Sequence, residues 1–398
     1  MGPARVLILC NSPDNGGGAN LLFRVTKYLN QERVRPTLLL HKPGWPAAQQ
    51  RRHGTADVII DPDIQELDPI PSASLAHPLI TFREVAAAGA GYGRVIRGIA
   101  DRVRERGFDV LAGFGAVPGA LATLGGTLAR RPVVWNAQRC YDTFGAARPM
   151  QVLALLPAVK RIFAVSRAAA MPYHHVPEKL VINYNGMDPD KVDPRRIVGT
   201  LRARMGIGPE VPLVGMAGRV IRLKGVDLFL RAAARIAKRF PEVRFVIIGR
   251  REGDAFDREL DEITAAEGLS DRVVFTGWVD DILTEMIDLD IVAIPSRRDA
   301  APLVAFEAMA LGRPIVATRC PGLDEQLEPE VSGLYVPRQD VEALAGAILR
   351  LLGDGDLRLR LGRAAREALV SRFDLRHAVL RIEETLVRLA RDPGACLD

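Results

Sequence analysis

Short apolar runs bounded by Gly, Pro and Asp alternate with amphipathic stretches along the chain, and the alternation occurs twice. In the first half the runs are 6–10, 37–41, 58–60, 110–112, 133–135, 161–165 and 180–182. In the second half they are 213–217, 244–249, 273–276, 291–295, 315–318 and 334–336. Stretches such as 226–239, 256–267 and 341–352 carry apolar residues at helical spacing. A strand followed by a helix before the next strand is the βαβ unit of a parallel sheet, so the pattern predicts an α/β chain with two doubly wound sheets.

A length of 398 residues suits two cores of roughly 200 residues each. The break is expected within 183–194, where an Asn-Gly turn and two Asp-Pro steps interrupt the alternation. This divides the chain into 1–190, 191–374 and a terminal helix in 375–398, which is expected to pack across the junction. No short repeat is present, which excludes a solenoid. With 48% hydrophobic and 26% charged residues, global disorder is excluded as well.

The four cysteines, Cys10, Cys140, Cys320 and Cys396, form no CxxC pair, which argues against a disulfide framework and a cysteine-built zinc site. The first apolar run, 6–10, is too short for a signal peptide, and a reducing cytosol is the expected compartment. Residues 110–129 carry no charge and have the length of a membrane span, but their five glycines and one proline read instead as a strand, a turn and a buried helix. Charge is uneven: residues 1–198 hold 25 Lys/Arg against 16 Asp/Glu, a net of +9, leaving 29 against 32, or −3, for the rest. Such asymmetry suits an anionic membrane surface or an acidic acceptor, with Arg94, Arg97, Arg102, Arg104 and Arg106 crowded on one helix. Nucleic acid is not expected, because basic and aromatic residues do not interleave.

Three segments place chemistry-bearing residues after strands. In 291–318 a buried strand ends at Pro295-Ser296, a loop carries Asp299, Pro302 suits a helix start, and Glu307 lies on that helix before Gly312 stops it. Two carboxylates thus flank a helix N-terminus at the carboxyl end of a parallel strand, where open α/β sheets bind ligands. Exposed N–H groups there take phosphate, and carboxylates accept from hydroxyls. The plain structural alternative makes Asp299 a capping acid and leaves Glu307 facing solvent or paired with Arg313. In 215–236 a strand-to-helix loop presents Arg219 and Lys224, two cations suited to clamping a diphosphate, in a chain with seven lysines. In 10–20 a glycine cluster follows the first strand and permits close backbone approach, but it is not GxGxxG and does not support a nicotinamide fold.

The Gly218-Arg219…Lys224-Gly225 loop, Asp299 with Glu307-Ala-Met-Ala-x-Gly-x-Pro, the run 331–337, Phe275-Thr-Gly277 and Asn185-Gly186-Met187-Asp188 together resemble glycosyltransferase family 4. The resemblance spans the chain and is strongest over 183–337. It implies GT-B architecture, two Rossmann-like domains facing a central cleft, with a nucleoside diphosphate sugar held by the second and an acceptor mainly by the first. By position, Arg219 and Lys224 match the diphosphate clamp, and Glu307 matches the carboxylate on the nucleotide ribose. Asp299 stands where the family has Glu on the sugar hydroxyls. Gly17, Gly18, Gly218, Leu303 and Val304 complete the implied donor-binding set with Asn136, which occupies the position of a His that contacts the donor sugar.

The implied activity is retaining transfer of a sugar from a nucleoside diphosphate to an acceptor hydroxyl, by a front-face route in which the leaving phosphate helps deprotonate the acceptor. No cofactor is expected, and no metal, because Arg219 and Lys224 supply the positive charge. The adjacent His174 and His175 have no acidic ligand at metal spacing, and Asp61-Pro-Asp63 matches a DxD motif in letters alone. An epimerase or hydrolase on the same scaffold and a catalytically weakened sugar-nucleotide-binding protein remain open. The acceptor is unspecified, whether glycan, lipid-linked or small, and the expected location is cytoplasmic with peripheral contact on the inner membrane face.

Overall fold

The computed structural model describes residues 2–10, 16–61, 82–141, 144–395 and 397. Part of the glycine cluster (11–15), Asp63 and Cys396 therefore lie outside the described residues. The chain forms two units: Met1–Tyr184 with Arg376–Asp398, and Asn185–Leu375.

The first unit contains a seven-stranded parallel sheet. In chain order its elements are β1 (Ala4–Leu9), α1 (Gly17–Tyr28), β2 (Val34–Leu40), α2 (Trp45–His53), β3 (Asp57–Ile60), α3 (Phe82–Arg106), β4 (Val110–Phe114), α4 (Ala116–Ala129), β5 (Val133–Ala137), α5 (Phe144–Ala154), β6 (Val159–Ala164), α6 (Arg167–Ala170) and β7 (Leu180–Ile182). The strand order is β3-β2-β1-β4-β5-β6-β7. Strands β4 and β5 are buried along their whole length, as a parallel sheet covered on both faces requires. The uncharged stretch 110–129 is therefore a strand and a helix, joined at Gly115 with φ 102°. A Cβ on Gly113 would stand 2.4 Å from the Gly119 Cα, so these glycines let α4 lie directly on the sheet. Among the described residues no helix is long and apolar enough to cross a membrane.

The second unit contains α7 (Leu201–Met205), β8 (Leu213–Ala217), α8 (Val226–Ala237), β9 (Arg244–Ile248), α9 (Ala255–Ala266), β10 (Val273–Gly277), α10 (Ile282–Met286), β11 (Ile291–Ile294), α11 (Leu303–Ala310), β12 (Ile315–Thr318), β13 (Leu334–Val336), α12 (Val341–Gly353) and α13 (Gly355–Arg372). Its six parallel strands run β10-β9-β8-β11-β12-β13. Phe229 of α8 meets Phe245 of β9 edge-on at 6.0 Å inside a core that α12 and α13 complete. Each sheet reverses its winding once, between β1 and β4 and between β8 and β11, and ligands of such sheets bind at the carboxyl ends of the strands flanking the reversal.

The division differs from the sequence expectation. The Asn-Gly step at 185–186 is packed inside the second unit: the Met187 N–H donates to the Phe373 carbonyl at 3.2 Å, and the Leu375 N–H returns to Met187 at 3.2 Å. A Cβ on Gly186 would lie 1.8 Å from the Phe373 oxygen, so the close approach requires glycine. The first stretch accordingly ends at Tyr184, not at 190. From Arg376 onward the last helix, α14 (Leu375–Arg391), is part of the first unit. Its buried Glu383 accepts from the Asn30 N–H at 2.8 Å and pairs with Arg33 at 2.6 Å, while Asn183 Nδ2 donates to the Ala378 carbonyl at 3.1 Å.

Candidate active site

Backbone close approach shapes the loop after β8. Gly218 has φ 138°, and a Cβ on Gly249 would sit 1.8 Å from the Gly218 oxygen, so the ends of β8 and β9 touch main chain to main chain. Gly225 has φ 72° and its Cβ would lie 2.0 Å from the Pro295 oxygen, which brings the far end of the loop against the end of β11. Both are positions where a side chain is excluded by space, and at Gly225 by backbone conformation as well.

Side chains then lock this loop. Arg297, just past β11, binds the buried Asp227 of α8 through both guanidinium ends at 2.7 and 2.6 Å. It also donates to the Arg222 carbonyl at 2.7 Å, and its own N–H donates to the Leu223 carbonyl at 2.8 Å. Burial alone would raise the Asp227 carboxyl, but the Arg297 bonds outweigh it and hold the group below its ordinary value. Arg222 points away, stacked on Phe256 at 4.5 Å and bound to Glu259. The remaining loop cations are Arg219, whose Nε donates to Glu252 at 3.4 Å, and Lys224, whose Nζ donates to Asp299 Oδ2.

The segment after β11 carries Asp299 and the start of α11. Asp299 forms a β-bridge with Gly322, which has φ 88° and whose Cβ would fall 1.9 Å from the Ala300 oxygen. Helix α11 starts after Pro302, and its N-cap makes no side-chain hydrogen bond. Such a start leaves N–H groups and the positive dipole end for an anion. Leu303 and Val304 form its first turn, and Glu307 is 7% exposed on the next. The plain structural alternative of a solvent-facing Glu307 does not hold: α11 is buried from Val304 to Ala310, and Glu307 shares that environment. Gly312, at φ 65°, stands past the helix end as the sequence implied.

The sequence-selected residues fall into two groups. Gly218, Arg219, Lys224, Asp299, Leu303, Val304 and Glu307 all lie in the second unit at or after the carboxyl ends of β8 and β11, and the structure joins Lys224 directly to Asp299. Gly17, Gly18 and Asn136 lie in the first unit, after β1 and on β5. There a Cβ on Gly18 would come within 3.0 Å of Gln138 Oε1. Asp227, Arg297, Glu252 and Gln138 were not singled out from sequence; an acid in a first helical turn reads generically as a dipole complement, and nothing local reveals its partner 70 residues on.

Metal-ligand geometry is a separate matter. Among the described residues no group of three His, Cys, Asp or Glu side chains is arranged to hold an ion. His174 and His175 bond instead to the carbonyls of Met171 at 2.8 Å and Gln151 at 3.0 Å.

The family pattern described as Glycosyl transferases group 1 matches residues 211–354, the heart of the second unit. A D-inositol 3-phosphate glycosyltransferase of Corynebacterium urealyticum is 35% identical over 188 residues, 45% of this chain and 44% of that protein. An alpha-D-kanosaminyltransferase of Streptomyces kanamyceticus is 34% identical over 177 residues, 44% of this chain and 45% of that one. The chain thus spans about half the length of the curated relatives it matches. Among solved structures, Anabaena Alr3699/HepE in complex with UDP-glucose superposes with a TM-score of 0.79 over 97% of this chain and 100% of that chain, at 22% identity. Sheet order, loop glycines and the matched segment agree with the resemblance to group 1 glycosyl transferases, and the chain has the two-domain GT-B fold.

Proposed function

We propose that the chain is a retaining glycosyltransferase that moves a sugar from a nucleoside diphosphate to an acceptor hydroxyl. The observation that carries this reading is the convergence of Lys224, Asp299 and the uncapped start of α11 where the sheet of the second unit reverses. A diphosphate seated on the α11 N–H groups draws Lys224 and Arg219 toward its oxygens. Negative charge grows on that diphosphate as the glycosidic bond breaks, so both cations stabilise the transition state more than the ground state. Glu307 accepts from the nucleotide ribose hydroxyls, and Asp299 holds the Lys224 ammonium in place and reaches toward the sugar. The leaving phosphate takes the acceptor proton on the same face, which preserves the anomeric configuration without an enzyme nucleophile.

Relatives named for transfer, and a structural neighbour crystallised with UDP-glucose, favour transfer over epimerisation, hydrolysis or binding alone. They also make a UDP-sugar the first donor to test. The +9 first half and the exposed arginines of α3 support an acceptor at, or bearing, an anionic surface. Thermal-shift screening of nucleoside diphosphate sugars tests the donor, since a ligand at 100 times its Kd contributes about 2.7 kcal/mol. Released nucleoside diphosphate in the presence of acceptor extracts tests transfer. With two cations at the leaving group, turnover is expected to survive EDTA; a tenfold loss restored by magnesium would count against that electrostatic role.

A further inference from the structure

The loops after β8 and β9 run on as a parallel pair beyond the strands themselves. The Gly218 N–H donates to the Ile248 carbonyl at 2.9 Å and the Val220 N–H to the Arg250 carbonyl at 3.1 Å, with Val220 bridged to Arg251. This pairing sets Arg219 beside Glu252, and Arg219 Nε donates to Glu252 Oε1 at 3.4 Å. The second carboxylate oxygen, Oε2, faces Arg250 Nη2 at 3.7 Å. One carboxylate thus stands between two guanidinium groups. It lies at the carboxyl ends of β8 and β9, the side on which open parallel sheets bind ligands.

The way Arg219 is held separates it from three other arginines of these loops. Arg297 grips Asp227 with both Nη atoms, at 2.7 and 2.6 Å. Arg251 grips Asp261 in the same way, at 2.8 Å for each. Arg222 closes both Nη atoms on Glu259. Each of these forks is committed to a protein carboxylate, which leaves no bidentate face for a ligand. Arg219 is bound through Nε instead, and its Nη pair has no partner among the described residues. The side chain is 55% exposed, so a ligand can reach it. A guanidinium carries its donors in one rigid plane; a bond at Nε orients that plane and leaves the Nη donors for a phosphate. We propose that Glu252 is a positioning residue of the diphosphate clamp, holding Arg219 by Nε so that the Nη pair meets the donor diphosphate. The inference rests on the glycosyltransferase reading, in which Arg219 meets the leaving group, and adds a residue that itself touches no substrate. A carboxylate has the same sign of charge as the diphosphate, so as a mere counter-ion it would weaken nucleotide binding. Positioning and plain charge therefore make opposite predictions for its removal.

Among UDP, GDP, ADP and dTDP, the nucleotide that the protein binds most tightly is titrated alongside its monophosphate. The ratio of the two dissociation constants isolates the contribution of the second phosphate. Arg219→Ala is expected to shrink this ratio by about tenfold or more. Glu252→Ala is expected to shrink it by about tenfold, with a melting temperature close to wild type because the ion pair is partly exposed. Glu252→Gln, whose amide oxygen still accepts from Nε, is expected to keep the ratio close to wild type. In Arg219→Ala/Glu252→Ala the ratio is expected to be no smaller than in Arg219→Ala alone, because the glutamate acts through the arginine. A wild-type or larger ratio in Glu252→Ala would make the carboxylate a plain counter-ion and overturn the proposal. So would an undiminished loss when residue 219 is already alanine, or a Glu252→Gln protein as weak as Glu252→Ala. A wild-type ratio in Arg219→Ala, or no preference for diphosphate over monophosphate in the wild type, would instead reject the clamp reading beneath it.

Discussion

The Lys224 ammonium donates to the Asp299 carboxylate between residues that follow β8 and β11, where the strand order of the second sheet reverses. The pair is half-enclosed, with side-chain exposures of 26% and 14%, so it is neither a screened surface contact nor a sealed ion pair. Glycines set it up. Gly225, against the Pro295 carbonyl, fixes where the loop ends, and Lys224 is the last residue before it.

Lys224→Ala and Arg219→Ala are each expected to lower kcat/KM by roughly 30- to 1000-fold, about 2–4 kcal/mol of transition-state stabilisation, with melting temperatures within a few degrees of wild type. Asp299→Asn separates two roles. If Asp299 acts by holding Lys224, the double variant Lys224→Ala/Asp299→Asn is no slower than Lys224→Ala alone. Strictly additive losses would instead give Asp299 its own contact with substrate. Wild-type turnover in both single cation variants would remove the clamp altogether.

The Asp227–Arg297 pair is a stability element. Asp227→Asn leaves a largely buried guanidinium without its carboxylate and is expected to cost about 3 kcal/mol. Its pH dependence has a definite sign. The folded Asp227 value lies below the ordinary one, so the contribution is fully present above about pH 4 and is lost as pH falls through the folded value. Melting temperature should therefore fall less steeply below about pH 4 in the variant than in wild type. Parallel acid limbs for the two proteins would refute the assignment.

Glycine substitutions distinguish scaffold from contact surface. Gly249→Ala drives a methyl to 1.8 Å from the Gly218 carbonyl, and Gly225→Ala adds a left-handed φ of 72° to a 2.0 Å clash. Each is expected to cost about 2–4 kcal/mol. Gly18→Ala meets only the end of the Gln138 side chain at 3.0 Å, which can swing aside. It should fold normally and change substrate affinity alone. A Gly249→Ala protein as stable as wild type would show that the β8 and β9 ends do not pack as described.

Much of the fold was legible because parallel strands need continuous apolar runs, which stand out between glycines and prolines. Strand β2 shows the limit. The sequence run begins at Thr37, whereas the strand begins at Val34 and contains Pro36. Pairing with β3 starts only at Thr37, so at Pro36 the strand has β1 alone beside it and the missing N–H is tolerated. The break after Tyr184 falls inside the expected 183–194, but its exact place was not legible, because Asn185-Gly186 reads locally as a turn, while its partner Phe373 lies far along the chain. Lys224, Asp299 and Glu307 were singled out by motif spacing, and the side chains of the first two are in contact. Arg297 was not, since its partner Asp227 is fixed by tertiary packing, and neither was Glu252, whose contact with Arg219 depends on the pairing of two loops.

The arginines of α3 yield the remaining expectation. Of the five arginines on 94–106, Arg102 is bound to the buried Asp61 at 2.7 Å and Arg104 to Asp101 at 2.9 Å. Arg94, Arg97 and Arg106 are exposed on α3 and form no ion pair among the described residues. Helix α4 packs beside α3 and ends with the exposed Leu128 next to Arg130 and Arg131. Each arginine near an anionic surface contributes about 1 kcal/mol, within a Debye length of about 8 Å at physiological salt. Three such residues are expected to give a weak, reversible attachment. Co-sedimentation with phosphatidylglycerol vesicles is thus expected at low salt, lost at several hundred millimolar salt, and abolished by Arg94→Glu/Arg97→Glu/Arg106→Glu. Equal recovery with neutral and anionic vesicles at low salt would instead make these arginines a solvated helix face, and the acceptor would then be sought among soluble molecules.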